Sequence, residues 1–125
     1  MLIDSDVLIW YLRGNLPAQK AINQIPGFLI SVVSYIELIQ GMRDNTELGH
    51  LRRFLRNHKA TVVYINEKIS AQALLYVERH FLSHSLELAD ALIAATAVAS
   101  AEPLLTGNIK HYRIIKDLEL CAFKP

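Results

Sequence analysis

At 125 residues the chain has the size of one domain, and 1–125 is expected to fold as a single unit. Its 52% hydrophobic content is enough to bury a core unaided, and its single cysteine, Cys121, excludes an intrachain disulfide framework and every multi-cysteine zinc motif. A net charge of +1, from 13 Lys and Arg against 12 Asp and Glu, excludes an acidic tail and a strongly basic nucleic-acid coat, though not a local patch.

In chain order, residues 1–3 predict a short strand ending at Asp4, followed by a helix to about Arg13. Gly14-Asn15 with Pro17 closes that piece, and 18–25 predict a short helix stopped by Pro26-Gly27. Residues 28–32 are a β-type run. From Ser34 to about Met42 the apolar positions Ile36 and Ile39, with Val33 before them, suit a helix. Leu48, Leu51 and Leu55 fall at helical spacing with Phe54 beside them, and β-branched and aromatic residues over 61–65 predict a strand. A helix over 67–81 is predicted to turn Ile69, Ala73, Leu74 and Val77 to one face. Another over 86–101, ended by Pro103, is small-sided nearly all round and is predicted to be a core helix. Residues 103–106 predict a short strand turned by Gly107-Asn108, and a last strand is predicted near 118–123.

Strand and helix alternate without repeats, low complexity or linkers, which favours an α/β fold with a mainly parallel sheet. The mean hydropathy of +0.23 leaves two readings, which are compatible: such a sheet buried on both faces, or surface also buried against a partner. The longest weakly polar stretch, 91–101, is about half of the roughly 20 residues a bilayer requires. Asp4 and Asp6 interrupt the first apolar stretch, so no secretory signal is expected and the cytoplasm is the expected compartment.

In open parallel sheets ligands collect beyond the carboxyl ends of the strands. Three acids are predicted there: Asp4 after the first strand, Glu37 in the first turn of the helix after the second, and Asp90 early in the alanine-rich helix. Each has an ordinary explanation. Asp4 can N-cap its helix, Ser34-x-x-Glu37 reads as a capping box, and Asp90 suits a helix N-terminus. Together they are three acids at one sheet edge, and Asp90 interrupts the otherwise apolar run 88–95, where a carboxylate is costly unless satisfied. Clustered carboxylates without His or Cys suit a hard cation, Mg²⁺ or Mn²⁺. Such an ion activates water for phosphodiester hydrolysis. No P-loop lysine motif and no G-x-G-x-x-G supports nucleotide chemistry.

The segments around these acids resemble a known family. Met1-Leu-Ile-Asp-Ser-Asp-Val-Leu-Ile-Trp10 resembles the opening of PIN-domain ribonucleases. Val33-Ser-Tyr-Ile-Glu-Leu-Ile-Gln-Gly41 is similar to the second motif, Leu88-Ala-Asp-Ala-Leu-Ile-Ala-Ala-Thr-Ala97 to the third, and Leu104-Leu-Thr-Gly-Asn-Ile-Lys-His-Tyr112 to the fourth. The order, spacing and length most resemble the VapC-type toxins, ribonucleases paired with an antitoxin. The resemblance implies a PIN-like three-layer α/β sandwich with a central, mainly parallel sheet flanked by helices. It also implies RNA cleavage with Mg²⁺ or Mn²⁺, a homodimer and a cognate antitoxin. It carries metal ligation onto Asp4, Glu37 and Asp90, with Thr106 and Asn108 orienting water, metal or phosphate. Many members have an acid where this chain has Asn108, a position that also suits a non-catalytic RNA- or protein-binding module. Asp6 is close enough to Asp4 to add a carboxylate, and equally suits the first helical turn; Asp117 is a weaker candidate.

Arg52, Arg53, Arg56 and Lys59 form a basic face that reads first as a solvated helix surface and second as a phosphate or antitoxin contact. Arg13 and Arg43 are placed to pair with the acids, with phosphate or in a structural ion pair. His50, His58, His80, His84 and His111 lack metal-ligand spacing, and His111, the one near a motif, reads as a surface residue. Trp10 and Tyr11 read as core or interface residues. A phosphatase or receiver-type domain would also cluster acids at strand ends, but Glu37 and Asp90 are predicted on helices, which disfavours it.

Overall fold

The computed structural model describes residues 1–83 and 86–125, so His84 lies outside the described residues. Among the described residues, five short strands form one sheet: β1 (Leu2–Ile3), β2 (Leu29–Ser31), β3 (Thr61–Val63), β4 (Leu104–Thr106) and β5 (Leu120–Ala122). Their spatial order is β3-β2-β1-β4-β5 and every pairing is parallel. The chain therefore winds outward from β1 through β2 to β3, then returns to the other side of β1 for β4 and β5. The reversal between β1 and β4 is a topological switch point, where α/β sheets open a crevice at their carboxyl ends.

The helices are α1 (Ser5–Leu12), α2 (Leu16–Asn23), α3 (Val32–Gln40), α4 (Asn45–Asn57), α5 (Glu67–His80), α6 (Leu88–Ala99) and α7 (Ile109–Tyr112). Successive strand residues point to opposite faces, so the sheet feeds two cores. Ile3, Ile30 and Leu105 pack with Val7 and Leu8 of α1, Ala18 and Ile22 of α2, and Leu51 and Phe54 of α4. Leu2 and Leu104 pack on the opposite face with Ile69, Ala73 and Tyr76 of α5, and with Ala91, Ala94, Ala95 and Ala97 of α6. Each fully buried Leu or Ile contributes about 1.5–3 kcal/mol relative to exposure. The result is the expected three-layer sandwich, with α6 as its core helix. Among the described residues, no helix is long and apolar enough to cross a membrane.

Several local expectations are corrected. Asn15 and Pro17 do not simply end the first helix. Asn15 caps α2 by accepting the Ala18 N–H, and Pro17 lies in the first turn, where its missing N–H is harmless. The Ser34–Glu37 capping box does not form. α3 starts at Val32, Ser31 is its N-cap and accepts the Val33 N–H, and Ser34 is buried inside the helix. Glu37 consequently sits in the second helical turn, freed from any capping duty. Leu74 does not face the core: it is 60% exposed, and the larger Tyr76 takes the inward position on α5.

Candidate active site

Strand register builds the centre of the site. Leu2 pairs with Leu104 and Ile3 with Leu105, so the next residues, Asp4 and Thr106, emerge side by side at the switch point. The Asp4 N–H extends the ladder to the Leu105 carbonyl at 3.0 Å. Asp4 is 3% exposed, and both of its oxygens are engaged. Oδ1 accepts the Ser5 N–H at 2.8 Å, the capping bond expected from sequence. Oδ2 accepts the Thr106 hydroxyl at 2.8 Å and the Tyr112 hydroxyl at 3.0 Å. Capping and site membership are thus compatible, because they use different oxygens.

The other acids are linked to Asp4 through intermediates. The Ser5 hydroxyl lies 3.4 Å from Glu37 Oε1, and the Tyr112 hydroxyl lies 3.4 Å from Asp90 Oδ1. Asp90 stands in the first turn of α6, and its Oδ2 is 3.6 Å from Nδ1 of His111. His111 is surface-exposed as expected, yet it is also an ion-pair partner for Asp90 when protonated. Asp6 spends both oxygens on backbone: Oδ1 accepts the Val7 N–H and Oδ2 accepts the Gly107 N–H at 2.8 Å. Asp6 thereby clamps the β4–α7 turn to the first turn of α1. Only a carboxylate presents two acceptors to two such donors; an Asn would leave one N–H unpaired.

Asn108 stands at the N-cap of α7, but its side chain makes no capping bond. Its backbone N–H donates to the Thr106 hydroxyl at 3.0 Å, which leaves the exposed carboxamide free of intrachain work. The Thr106 hydroxyl therefore passes a hydrogen bond from the turn to Asp4.

The electrostatics are one-sided. Burial pushes the Asp4 carboxyl above its usual range against the opposing hydrogen bonds from Thr106, Ser5 and Tyr112; burial, then neighbouring acids, raises Glu37 and Asp90, and the nearby His111 partly opposes this at Asp90. Asp6 is pushed up to about 6 by burial and by repulsion from Asp4. Burial and the charges of Asp4 and Asp90 raise the Tyr112 hydroxyl, which stays protonated as a donor. A buried Asp4 with half-buried Asp6 and Asp90 and the more exposed Glu37 around it, all raised, is typical of a functional site. Among the described residues, no three Asp, Glu, His or Cys side chains close into a ready-made ligand cluster. Asp4 meets Asp90 through Tyr112 and Glu37 through Ser5. The donor set is nonetheless all oxygen and anionic, which fits a hard divalent cation.

The remaining candidates separate. Asp117 is not at this edge: it precedes β5, at the amino end of the sheet, and accepts the Tyr76 hydroxyl at 3.1 and 3.2 Å. Arg43 pairs with Glu47 at 3.1 Å, the structural alternative for that residue. Arg13 and Arg43 line a groove of about 450 Å³ that leads to Glu37 between Ile9, Leu12 and Met42. Arg52, Arg53 and Arg56 lie exposed on α4. Tyr11 packs on Phe54 with ring centroids 4.6 Å apart, as a core residue does, while Trp10 is 37% exposed. Tyr112 was not among the residues singled out by sequence; an aromatic closing a motif reads as packing.

The family profile for the PIN domain matches residues 1–116. Ribonuclease VapC10 of Mycobacterium tuberculosis is 37% identical over 125 residues, covering 95% of this chain and 90% of its own length. A toxin–antitoxin complex from Klebsiella pneumoniae contains a chain with the same fold, at a TM-score of 0.80 and 24% identity, covering 94% of this chain and 93% of that one. VapBC2 from Rickettsia felis, bound to a promoter DNA fragment, matches at a TM-score of 0.84 and 18% identity, with 98% of each chain covered. With the profile spanning most of the sequence and a relative this similar over nearly all of it, the chain belongs to the PIN-domain family and to its VapC-type members.

Proposed function

We propose that the chain is a divalent-metal-dependent endoribonuclease toxin, formed by one domain that works in the cytoplasm and is restrained by a cognate antitoxin. The observation that carries this reading is the concentration of Asp4, Glu37 and Asp90 at the switch point, with raised carboxyl pKa values. Asp4, Glu37 and Asp90 would hold the ion. Bound there, Mg²⁺ or Mn²⁺ supplies charge neutralisation at the scissile phosphate and lowers the pKa of attacking water.

The protein's own groups set the geometry around that chemistry. Thr106 fixes the Asp4 carboxylate, and Asp6 fixes the turn that carries Thr106. The free Asn108 carboxamide orients phosphate or water. Asp6 contributes the clamp through both oxygens; both Asp4 oxygens are engaged as well, so hydrogen bonding alone does not separate a clamp from a ligand. Arg13 and Arg43 border a groove suited to a phosphate backbone, since phosphate contacts position a nucleic acid without reading its bases.

An antitoxin partner is supported by the toxin–antitoxin complex of the same fold. Ile9, Trp10, Leu12, Leu16, Ile36 and Ile39 on α1, α2 and α3 leave exposed apolar surface for it, with Ile9 and Leu12 in the groove that Glu37 lines. A separate exposed apolar set, Leu74, Phe81, Leu82 and Leu88, suits a homodimer contact.

A second reading, a non-catalytic RNA- or protein-binding module, draws on the neutral Asn108 alone. Incubating the purified chain and Asp90→Asn with single-stranded RNA, with Mn²⁺ or with EDTA, separates the two. Mn²⁺-dependent cleavage by the unaltered chain, lost in the variant, is the expected result. Undiminished cleavage by Asp90→Asn, or an inert unaltered chain that still binds RNA, would overturn the nuclease reading.

A further inference from the structure

The Tyr112 ring is accounted for by packing. It is 1% exposed within the core shared by α5, α6 and β4, and a phenylalanine would fill the same space. The hydroxyl is not accounted for by packing. A buried hydroxyl is costly without a partner, and the partners it finds are two acids from opposite ends of the sequence. It donates to Asp4 Oδ2 at 3.0 Å and approaches Asp90 Oδ1 at 3.4 Å. No other described side chain touches both acids through hydrogen bonds.

The tie is itself anchored. Tyr112 is the last residue of α7, which begins at the turn held by Asp6 and by the Asn108-to-Thr106 hydrogen bond. Thr106 and Tyr112 together occupy Asp4 Oδ2, and so fix the rotation of that carboxylate. The same hydrogen, shared in the longer arm of a three-centre contact, restrains one oxygen of Asp90 and leaves the other toward His111.

We propose that the Tyr112 hydroxyl is a positioning residue for the proposed metal site, tying Asp4 and Asp90 into the mutual arrangement that a divalent cation requires. This rests on the metal-dependent reading above and adds to it a specific outer partner. Two carboxylates near each other repel and favour divergent rotamers. A neutral donor between them opposes that divergence while leaving their charge intact for the ion. Outer partners of ligating carboxylates typically account for about 10- to 100-fold in metal affinity or activity.

The test compares Tyr112→Phe with the unaltered chain, using Mn²⁺ alone as the probe in calorimetry, with RNA cleavage and thermal unfolding measured in parallel. The expected result is about a 10-fold weaker Mn²⁺ Kd in a variant that remains folded at the assay temperature. A merely structural hydroxyl would lower Tm and leave Kd where it was. Tyr76→Phe removes a hydroxyl from the other end of the sheet and should leave Kd unchanged. A Tyr112→Phe Kd within about 2-fold of the unaltered chain, or tighter, would overturn the proposal. A second measurement needs no variant. Mn²⁺ titration of the unaltered chain should produce a tyrosine difference absorbance that saturates with the calorimetric Kd, and its absence would equally sink the tie. If the unaltered chain binds no Mn²⁺, the metal reading itself fails and takes the tie with it. Binding without cleavage would break only the nuclease reading.

Discussion

Two tyrosine–aspartate pairs stand at opposite ends of the same sheet. At the carboxyl ends of the strands Tyr112 donates to Asp4; at the amino ends Tyr76 donates to Asp117. Both rings are 1% exposed. Their surroundings differ. Asp4 is buried and shares its crevice with Asp6, Glu37 and Asp90, all raised above the usual carboxyl range. Asp117 is exposed and lines a cavity of about 400 Å³ with Arg79, His80 and Lys116, and a second one with Glu102 and Glu119. The hydrogen bond is the same in kind at both ends. What differs is the charge around it: charges of both signs surround the far pair, while the site gathers acids whose negative charge a cation or protons must offset.

The comparison breaks most sharply at the aspartates. Asp4→Asn is expected to lower RNA cleavage by more than the ~100-fold at which loss of an outer partner tops out. Asp117→Asn is expected to leave cleavage within about 2-fold, because it lies outside the crevice. Cleavage rates of the two variants on one RNA decide this. Equal losses would mean that both ends act on the substrate, or that both variants are unfolding, which circular dichroism separates.

A smaller effect is expected at Gly107. A Cβ there would stand 2.7 Å from Asp6 Oδ2, the atom that receives the Gly107 N–H. The Phe123 carbonyl lies 3.4 Å away on another side, so the turn has little room to retreat. Gly107→Ala should therefore push the Asp6 carboxylate off the turn and displace Thr106 with it. A displacement of this kind costs up to ~100-fold even at a distance from the chemistry. Cleavage about 10-fold below that of the unaltered chain, with Tm lowered by the strain, is the expected result. Unaltered cleavage in Gly107→Ala would show that the clamp is dispensable.

The sequence made Asp4 and Asp90 visible because each follows or opens an element whose identity local patterning reveals. Asp4 ends an apolar run, and Asp90 interrupts one. The parallel order of the strands does the rest, since it sends all their carboxyl ends to one edge. Thr106 was legible for the same reason. Tyr112 and the Asp6–Gly107 clamp were not. The clamp joins positions separated by 101 residues, and the tyrosine reaches across 108 to Asp4. Nothing in a local window distinguishes a tyrosine needed for its hydroxyl from one needed for its ring. Glu37 shows the opposite error. Its spacing from Ser34 matched a capping box, but the helix began earlier because Ser31, at the end of β2, was available as the cap. The basic face of α4 remains what its amphipathic pattern suggested, an exposed row over the buried Leu51, Phe54 and Leu55.

The smallest expected effect is on stability, and its sign follows from the direction of the shifts. Asp6 titrates at about 6 in the folded chain against 3.8 for an ordinary aspartate, through burial first and Asp4 second. Between those values the folded chain holds a proton that the unfolded chain has released. Stability therefore falls as pH rises through that window and stays lower above it, since it declines wherever the native state binds more protons. Asp4, Glu37 and Asp90 are raised as well and act in the same sense. In EDTA, Tm should be higher near pH 4.5 than near pH 7.5 by a few degrees, the scale on which about 1 kcal/mol registers in a domain of this size. Millimolar Mn²⁺ should raise Tm near pH 7.5 and have little effect near pH 4.5, where protons already occupy the acids. Asp6→Asn should reduce the pH dependence by removing one titrating group, while Asp117→Asn should leave the Mn²⁺ effect intact. A Tm that rises with pH across the window in EDTA, equally in the unaltered chain and in Asp6→Asn, would mean that the crevice acids are less crowded than their burial implies. The contrast between the two ends of the sheet would then rest on their hydrogen bonds alone.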